Sequence, residues 1–392
     1  MDRHAVVIGA GVGGLAAGAA LHRLGYRVEV HERAASLDPV GSGISVAPNA
    51  LRALDVLGLG DPVRARAEAM GEGGLWHPSG RRLAVTDTEG VRRAFGDPMV
   101  VLHRAELVDV LAAALPPGAV RTSSAVRLVD PGEPGRLARL AGADGEFEAD
   151  LVVAADGLRS AARSLLFPDH PGPRYSGFTT WRTVIPATGR PVPAGETWGR
   201  GALTGAIPLA DHRVYLYAAA LAPAGGRAAD GDERAELLRR FGDWFEPLAT
   251  LFRSAEAGRV LRHDVWELDR PLPAFHRGRT VLLGDAAHAM TPFQGQGACQ
   301  AIEDAVVLAH SLATVPDRPG ALAAYSAARL PRTTAVATRS RRVARLVALR
   351  GGPAVALRNA FLTASARLPE HLLLRGAAPM IDWHPPTAAP PA

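Results

Sequence analysis

Apolar positions along this chain change their period, and the changes mark its elements. Ala5-Val6-Val7-Ile8 is an unbroken apolar run, as a strand buried on both faces shows. Leu15, Ala16, Ala19, Ala20 and Leu24 then recur at helical spacing until Gly25 stops the helix. Val28 to His31 resumes the strand pattern, and Glu32 closes it. Together they predict a βαβ unit of about 30 residues. Strand-to-helix passages recur at Val100-Val101-Leu102 before "HRAELVDVLAAAL", and in "ADLVVAADGLRSAARSLL" around Asp156. From Tyr175 to Trp266 the period falls to two. Aromatic and β-branched residues alternate with polar ones in "SGFTTWRTVIP", "RVYLYAAAL" and "LRHDVWEL", which predicts an inserted antiparallel sheet. One helix near Asp232 to Phe245 interrupts it. After Val281 the first texture returns, with Ala298, Ala301, Ile302, Ala305, Leu308 and Leu312 on one helical stripe. The C-terminal stretch reads as helical and Arg-rich and ends in the tail "PPTAAPPA".

Composition narrows the picture. The 392 residues leave room for two or three domains and a sizeable core. Hydrophobic residues at 47% and charged residues at 21% are those of a soluble globular chain. Every basic side chain is Arg, the net charge is +5, and no basic block occurs. A nucleic-acid-binding face is therefore not expected, while a mild positive field favours anionic ligands. Cys299 is the only cysteine, so no disulfide forms within the chain, and a reducing cytoplasm suits it. No apolar run is long enough for a membrane span. Glycines break the N-terminal apolar run too early for a signal peptide, so a cytoplasmic location is expected.

Gly9, Gly11 and Gly14 give G-x-G-x-x-G, directly after a strand and opening a helix, with Gly13 inside the motif. The first glycine permits the tight turn, the second admits a pyrophosphate, and the third lets helix and strand approach. Glu32, at the end of the next strand, stands where a carboxylate accepts ribose hydroxyls. The motif signals a dinucleotide without separating FAD from NAD. A second glycine-rich segment lies far downstream, in "VLLGDAAHAMTPFQGQGACQAIEDA". There Gly284-Asp285 ends a strand, Pro292 stiffens a turn, and Gly295 and Gly297 bare backbone N–H groups before a helix. Glu303 and Asp304 in its early turns suit the helix dipole.

The chain resembles the flavoprotein aromatic hydroxylases, the group that includes para-hydroxybenzoate hydroxylase and salicylate hydroxylase. The likeness rests on the glycine fingerprint with Glu32-Arg33, on "LHRAELVDVL" with Arg104, and on "VVAADGLRSAAR". It rests also on "GRTVLLGDAAHAMTPFQGQGACQAIEDA", and covers most of the chain. It implies an α/β fold: a Rossmann-like FAD-binding domain of the GR2 type, an inserted antiparallel-sheet substrate domain and a C-terminal helical segment. The expected division is 1–72, 101–172 and 262–345 for FAD, 73–100 and 173–261 for substrate, and 346–392 for the helical segment and tail. It implies FAD as cofactor and NADH or NADPH as co-substrate. The expected reaction is hydroxylation of an electron-rich aromatic substrate with O2, through a flavin C4a-hydroperoxide, by a monomer or homodimer.

The resemblance also distributes roles. Gly9, Gly11, Gly13, Gly14, Glu32 and Arg33 would hold the ADP half of FAD, and Arg104, Asp156, Gly284 and Asp285 its middle. Gln296 and Ala298 would meet the ring end, where Pro292, Gly295 and Gly297 form the catalytic loop. Arg159 and Arg163 read either as cofactor-side contacts or as a solvated helix face. On the inserted sheet, Arg182, Arg200, Tyr215 and Tyr217 are the substrate candidates, joined by Phe293 from the Pro292-Phe293 turn. Arg suits a carboxylate or phenolate, and Tyr a proton relay, so Arg200 and Tyr217 are also catalytic candidates. The plainer reading makes the aromatics core and the arginines surface. His288 reads as structural or flavin-side, Cys299 as a buried packer, and no metal site is expected. The motifs bind cofactor rather than substrate, so the same fold also admits epoxidation, oxidative decarboxylation or N-hydroxylation in natural-product tailoring. A non-turnover flavin- or NAD(P)H-binding regulator is the alternative of a different class.

Overall fold

In the computed structural model the described residues are 3–37, 42–69, 73–86, 88–187, 189, 192 and 194–387. Most of the tail "PPTAAPPA", from 388 onward, lies outside them. The apolar run His4–Ile8 sits in a six-stranded sheet, parallel to Arg27–His31 on one side and to Leu151–Ala154 on the other. Thr280–Leu282 follows in parallel, and Val120–Arg121 and the antiparallel His276–Arg277 close the edges. Helices cover this sheet, which is why its strands are apolar without alternation. The helix Val12–Arg23 packs on the helix Gly297–Thr314. Their contact is close because Gly13 has no side chain. A Cβ there would meet Leu283 Cδ2 at 2.7 Å and the Ala301 Cβ at 3.0 Å.

The alternating segments form a seven-stranded sheet. Its order is Leu261–Glu267, Arg174–Pro186, Arg213–Leu221, Ala202–Leu209, Gly195–Trp198, Gly73–Trp76 and Arg82–Thr86. All neighbours are antiparallel except Gly195–Trp198 with Gly73–Trp76. Its two faces differ. Trp181, Ile185, Val214, Leu216 and Ala218 pack against two helices, Glu233–Phe241 and Leu248–Arg253. The other face turns Phe178, Tyr217, Leu203 and Trp198 toward Phe293 and the long helix Arg318–Val347.

The helix expected near Asp232 to Phe245 is Glu233–Phe241, ended by Gly242, and a second helix that periodicity missed, Leu248–Arg253, follows Pro247. The Val100–His103 strand runs into the helix Arg104–Ala113, as its pattern predicts, and lies in a small antiparallel sheet with Gly43–Val46 and Glu68–Ala69. That small sheet lies between the cofactor half and the aromatic sheet, since Val101 packs on Ile207, Leu209 and Tyr215.

Candidate active site

The N-terminal fingerprint forms a cradle. Gly9 has φ +100°, and a Cβ on it would fall 2.5 Å from the Ala155 carbonyl. A Cβ on Gly14 would fall 1.9 Å from the Gly9 carbonyl, so the turn closes only with glycine at both places. Gly11 instead faces open space, and no side chain caps the helix behind it. Its first N–H groups thus stand free to receive phosphate oxygens. The Glu32 carboxylate accepts from Ala10 N and Ala34 N, each at 2.9 Å, which fixes it at the mouth of the cradle. Its remaining lone pairs suit the two hydroxyls of a ribose. Arg33 beside it is exposed.

Further along, Arg104, Asp156, Arg163 and Asp285 converge from four segments. Asp156 Oδ2 accepts from Ala162 N at 3.2 Å, while its buried Oδ1 has no partner. Arg104 opens the helix Arg104–Ala113 and has a buried, unpartnered Nε. Burial and the nearby Arg182 lower its pKa, against the attraction of Asp285. Asp285 is exposed and follows Gly284, whose φ of +62° turns the chain out of the strand. The open readings of Arg159 and Arg163 divide. Arg159 is exposed, whereas Arg163 is buried and donates to the carbonyls of Ala286 at 3.1 Å and Leu158 at 2.7 Å. Arg163 is therefore no solvated helix face; it ties the two aspartate-bearing loops together.

At the far end, Pro292 is exposed, Gly295 has φ +62°, and Gln296 precedes the helix Gly297–Thr314 without a capping side chain. Nothing stands within 4 Å of a Cβ on Gly297, so a flat ring can approach its backbone. Ala298 in the same turn is half-buried. A polar network braces this loop from below. Gln296 Oε1 accepts from Asn49 and Gln300, each at 3.1 Å. Glu303 accepts from Asn49 Nδ2 at 2.6 Å, and from Arg329 and Arg332. Asp304 accepts from Arg329 Nε at 2.6 Å and Gly284 N at 3.0 Å, with His288 Nε2 at 2.6 Å. Burial alone would raise the Asp304 carboxyl, but His288 and Arg329 hold it down at about 2. Glu303 and Asp304 are thus fully buried ion-pair partners. Sequence periodicity missed this network because Arg329 and Arg332 lie on another helix. The His288 ring belongs to the same network. Cys299 is buried with Sγ 3.6 Å from the carbonyls of Ser45 and Gly295, and burial pushes its thiol up to about 12.

Facing this loop is the inner face of the seven-stranded sheet. Phe293 meets Phe178 edge-on, with centroids 4.8 Å apart. Tyr215 and Tyr217 stack at 5.3 Å on one face, as their two-residue spacing predicts. Arg182 pairs in register with Tyr217 and reaches the Tyr215 hydroxyl; its buried Nε has no partner. Burial pushes the Tyr215 phenol up to about 12, against the pull of Arg182 and Arg104. Gly43 lets the small sheet touch the Tyr215 ring, where a Cβ would clash at 2.5 Å. His263, overlooked in the sequence, pairs with Thr180 on the neighbouring strand. Partial desolvation lowers its pKa, and Arg182 and Arg104 push the same way. Arg200 stands apart. It is exposed in the turn between two strands, its guanidinium beside Gly352, on a separate open groove of about 850 Å³ shared with Arg81, Trp244 and Arg367.

A cradle with two glycine ends, unpartnered polar atoms between them and an aromatic sheet opposite fits FAD. The chain belongs to the FAD binding domain family, whose model matches residues 2–228 and 249–340. It is an FAD-dependent monooxygenase of the aromatic hydroxylase group. Aurachin C monooxygenase/isomerase of Stigmatella aurantiaca is 39% identical over 345 residues, covering 87% of this chain and 88% of its own. The 3-hydroxybenzoate 6-hydroxylase 1 of Aquipseudomonas alcaligenes is 34% identical over 379 residues, 92% of this chain and 93% of its own. Among solved structures, Klebsiella pneumoniae HpxO complexed with FAD and uric acid has a TM-score of 0.87 at 27% identity. It covers 97% of this chain and 96% of its own.

Proposed function

We propose that this monooxygenase oxygenates a hydroxylated aromatic or heteroaromatic ring held between the Gly295–Ala298 loop and the inner sheet face. The observation that carries this reading is the meeting there of two unlike surfaces: free backbone N–H groups and Phe293 on the loop side, Arg182, Tyr215 and Tyr217 on the sheet side. When bound, FAD supplies the activation of O2 and the transfer of one oxygen atom, with NADH or NADPH as reductant. Gly9, Gly11, Gly13, Gly14, Glu32 and Arg33 hold its ADP end. Arg104, Asp156, Gly284 and Asp285 line its middle. Pro292, Gly295, Gln296, Gly297 and Ala298 meet the ring, and the N–H groups at Gly297 and Ala298 stabilise negative charge developing on it. The apolar walls from Phe178, Phe293 and Leu203 exclude water from the reacting atoms. Arg182 binds an anionic oxygen of the substrate. The division into segments 1–72, 101–172 and 262–345 for FAD, and 73–100 and 173–261 for substrate, belongs to the same reading, as does a cytoplasmic monomer or homodimer.

Relatives act on 3-amino-4-hydroxybenzoate, 3-hydroxybenzoate and urate, all oxygenated rings, which supports the substrate class. The test is direct. Gently purified protein is yellow, and a panel of these three compounds and bicyclic phenols is screened for stimulated NAD(P)H consumption, with product mass determined under isotopically labelled O2. At least one ring accelerates consumption and gains one labelled oxygen. Protein that holds no flavin and cannot be reconstituted with FAD would sink the proposal. A second reading, oxygenation followed by rearrangement, is favoured by the 39% identity to a protein named monooxygenase/isomerase. A product with shifted substituents would distinguish it from plain hydroxylation.

A further inference from the structure

We propose that the groove beside Arg200 is a second ligand site, which takes a planar organic anion of the aromatic carboxylate kind. The inference goes beyond the proposed function and does not rest on it.

The groove lies between the edge of the seven-stranded sheet and the helix Gly352–Ser365. Its volume, about 850 Å³, falls within the range of about 300–1,000 Å³ that small-molecule sites occupy. One face of the helix forms the floor. Val355, Ala356, Ala360 and Ala364 recur a turn apart there, and their short side chains leave the space open. Trp198 and Trp244 give the wall an aromatic surface. Trp244 packs on Gly199, where a Cβ would fall 2.8 Å from its ring. Thr363 Oγ1, also on the floor, is buried and has no hydrogen-bond partner.

The charge on this groove has one sign. Arg81 comes from the turn after Gly73–Trp76, and Arg200 from the turn after Gly195–Trp198. Arg240 comes from the helix Glu233–Phe241, and Arg367 stands just past Gly352–Ser365. Arg240 is paired with Glu236. The other three are exposed and have no carboxylate partner among the described residues, and no acid among those residues lines the groove. A fifth arginine lies behind the wall. Arg358 is 4% exposed, with its guanidinium 5.6 Å over the Trp198 ring. It donates to the carbonyls of Gly199 and Leu346 and to Asn359 Oδ1, none of them charged. Burial lowers its pKa, as for a cation without a counter-ion. His77 feels the same field: besides burial, Arg81, Arg358 and Arg200 push its pKa down. Its Nδ1 accepts from Ser79 N at 3.1 Å, so the neutral ring offers Nε2–H as a donor.

Cations drawn from separate elements to one cavity repel one another, and an anion placed among them removes that cost. Arginine forks match the two oxygens of a carboxylate, and an aromatic body suits the indole wall and the alanine floor. The groove also touches the chamber. Trp198 packs in the cluster of Phe178, Leu203 and Phe293, and its Nε1 donates to Glu196 at 2.7 Å. The other Glu196 oxygen accepts from the Tyr217 hydroxyl at 2.9 Å. An occupant of the groove therefore leans on a side chain that the chamber also uses.

The test uses FAD-loaded protein with 2-naphthoate, a planar carboxylate, and 2-naphthamide, its uncharged counterpart. Wild-type protein should bind naphthoate with quenching of tryptophan fluorescence, more weakly as salt is added, and the amide at least roughly 10-fold more weakly. Arg81→Gln combined with Arg367→Gln should lower naphthoate affinity roughly 10- to 100-fold. Bound flavin and circular dichroism should stay as in the wild type, because neither arginine is paired or near the cradle. Ala360→Trp fills the groove and leaves every charge in place, and it should abolish the same binding. Naphthoate that enters the chamber is read separately, as a shift of the flavin absorption band, which the arginine variant should leave unchanged. Both 3-hydroxybenzoate and NADPH carry an anion and a ring. Displacement of naphthoate from the groove by the first assigns the groove to substrate, and by the second to the reductant; either result upholds the site. No quenching in the wild type, or equal affinity in the wild type, the arginine variant and Ala360→Trp, would overturn the site and leave the proposed hydroxylation standing.

Discussion

Glu32 carries two loads at once. It accepts from Ala10 N and Ala34 N, and it stands at the cradle mouth where a ribose would lie. Hydrogen bonds to a charged group contribute about 1.5–3 kcal/mol each. Glu32→Ala therefore weakens FAD binding roughly 10- to 100-fold, read as flavin-fluorescence quenching during titration of the apoprotein; unchanged affinity would remove Glu32 from the site. Cys299 makes the opposite prediction, of inertness. Burial raises its thiol to about 12, so the folded state keeps the proton that the unfolded chain loses above its ordinary value near 9. Its stabilising share is complete below pH 9 and declines as pH rises toward 12. A disulfide reagent should label Cys299 in denaturant and leave the native protein unlabelled at pH 8; rapid native labelling would contradict this burial. These residues were legible for different reasons. The Gly9–Gly14 turn and Glu32 follow from local backbone needs, which spacing displays. Glu196 did not, because a glutamate in an alternating strand reads as an outward polar position. Only the pairing with Gly205 and Tyr217 turns it inward.

At the scale of elements, helices and strands were legible where their own residues determined them. The helix Gly297–Thr314 carries its apolar stripe in its own sequence, and Ala301, Ile302, Ala305 and Leu308 are all buried. What periodicity could not show is the polar stripe between them. Glu303 and Asp304 are buried because the helix Arg318–Val347 crosses over and supplies Arg329 and Arg332. No local pattern links partners on two helices. The consequence is measurable. Arg329→Ala leaves two buried carboxylates under-compensated, which destabilises by roughly 3–5 kcal/mol. Denaturant melts should show that loss, whereas a change under 1 kcal/mol would mean that Arg332 and the amides suffice. The pH sign follows from Asp304. Its carboxyl is held at about 2, below the ordinary 3.8, so its stabilisation is present above pH 4 and is lost as pH falls toward 2. Melting temperature should therefore drop across that interval, and Asp304→Asn should flatten the part of the drop due to this group.

Across the whole molecule the two sheets meet through few direct contacts of their own. The small sheet of Gly43–Val46 and Val100–His103 touches the aromatic face at Tyr215, and Phe293 touches it at Phe178. Between these two contacts run the unpartnered atoms of Arg104 and Arg182 and the free start of the helix Gly297–Thr314. A cofactor that reaches from Gly11 to Gly297 would thus bridge the parallel sheet and the chamber wall. Binding to the folded state alone stabilises it by RT ln(1 + [L]/Kd), about 4 kcal/mol at 1,000-fold excess over Kd. For a chain of this size that corresponds to a rise in melting temperature of roughly 5 °C. Arg329→Ala should lower the melting temperatures of apo and holo forms together, because its network braces the loop with or without cofactor. Glu32→Ala should lower the apo form through the lost Ala10 and Ala34 hydrogen bonds, by about 1.5–3 kcal/mol, and should also shrink the rise. Calorimetry of the wild type and the two variants, each with and without FAD, separates these effects. If FAD gave no rise in the wild type, or the same rise in Glu32→Ala, the bridging role would fail.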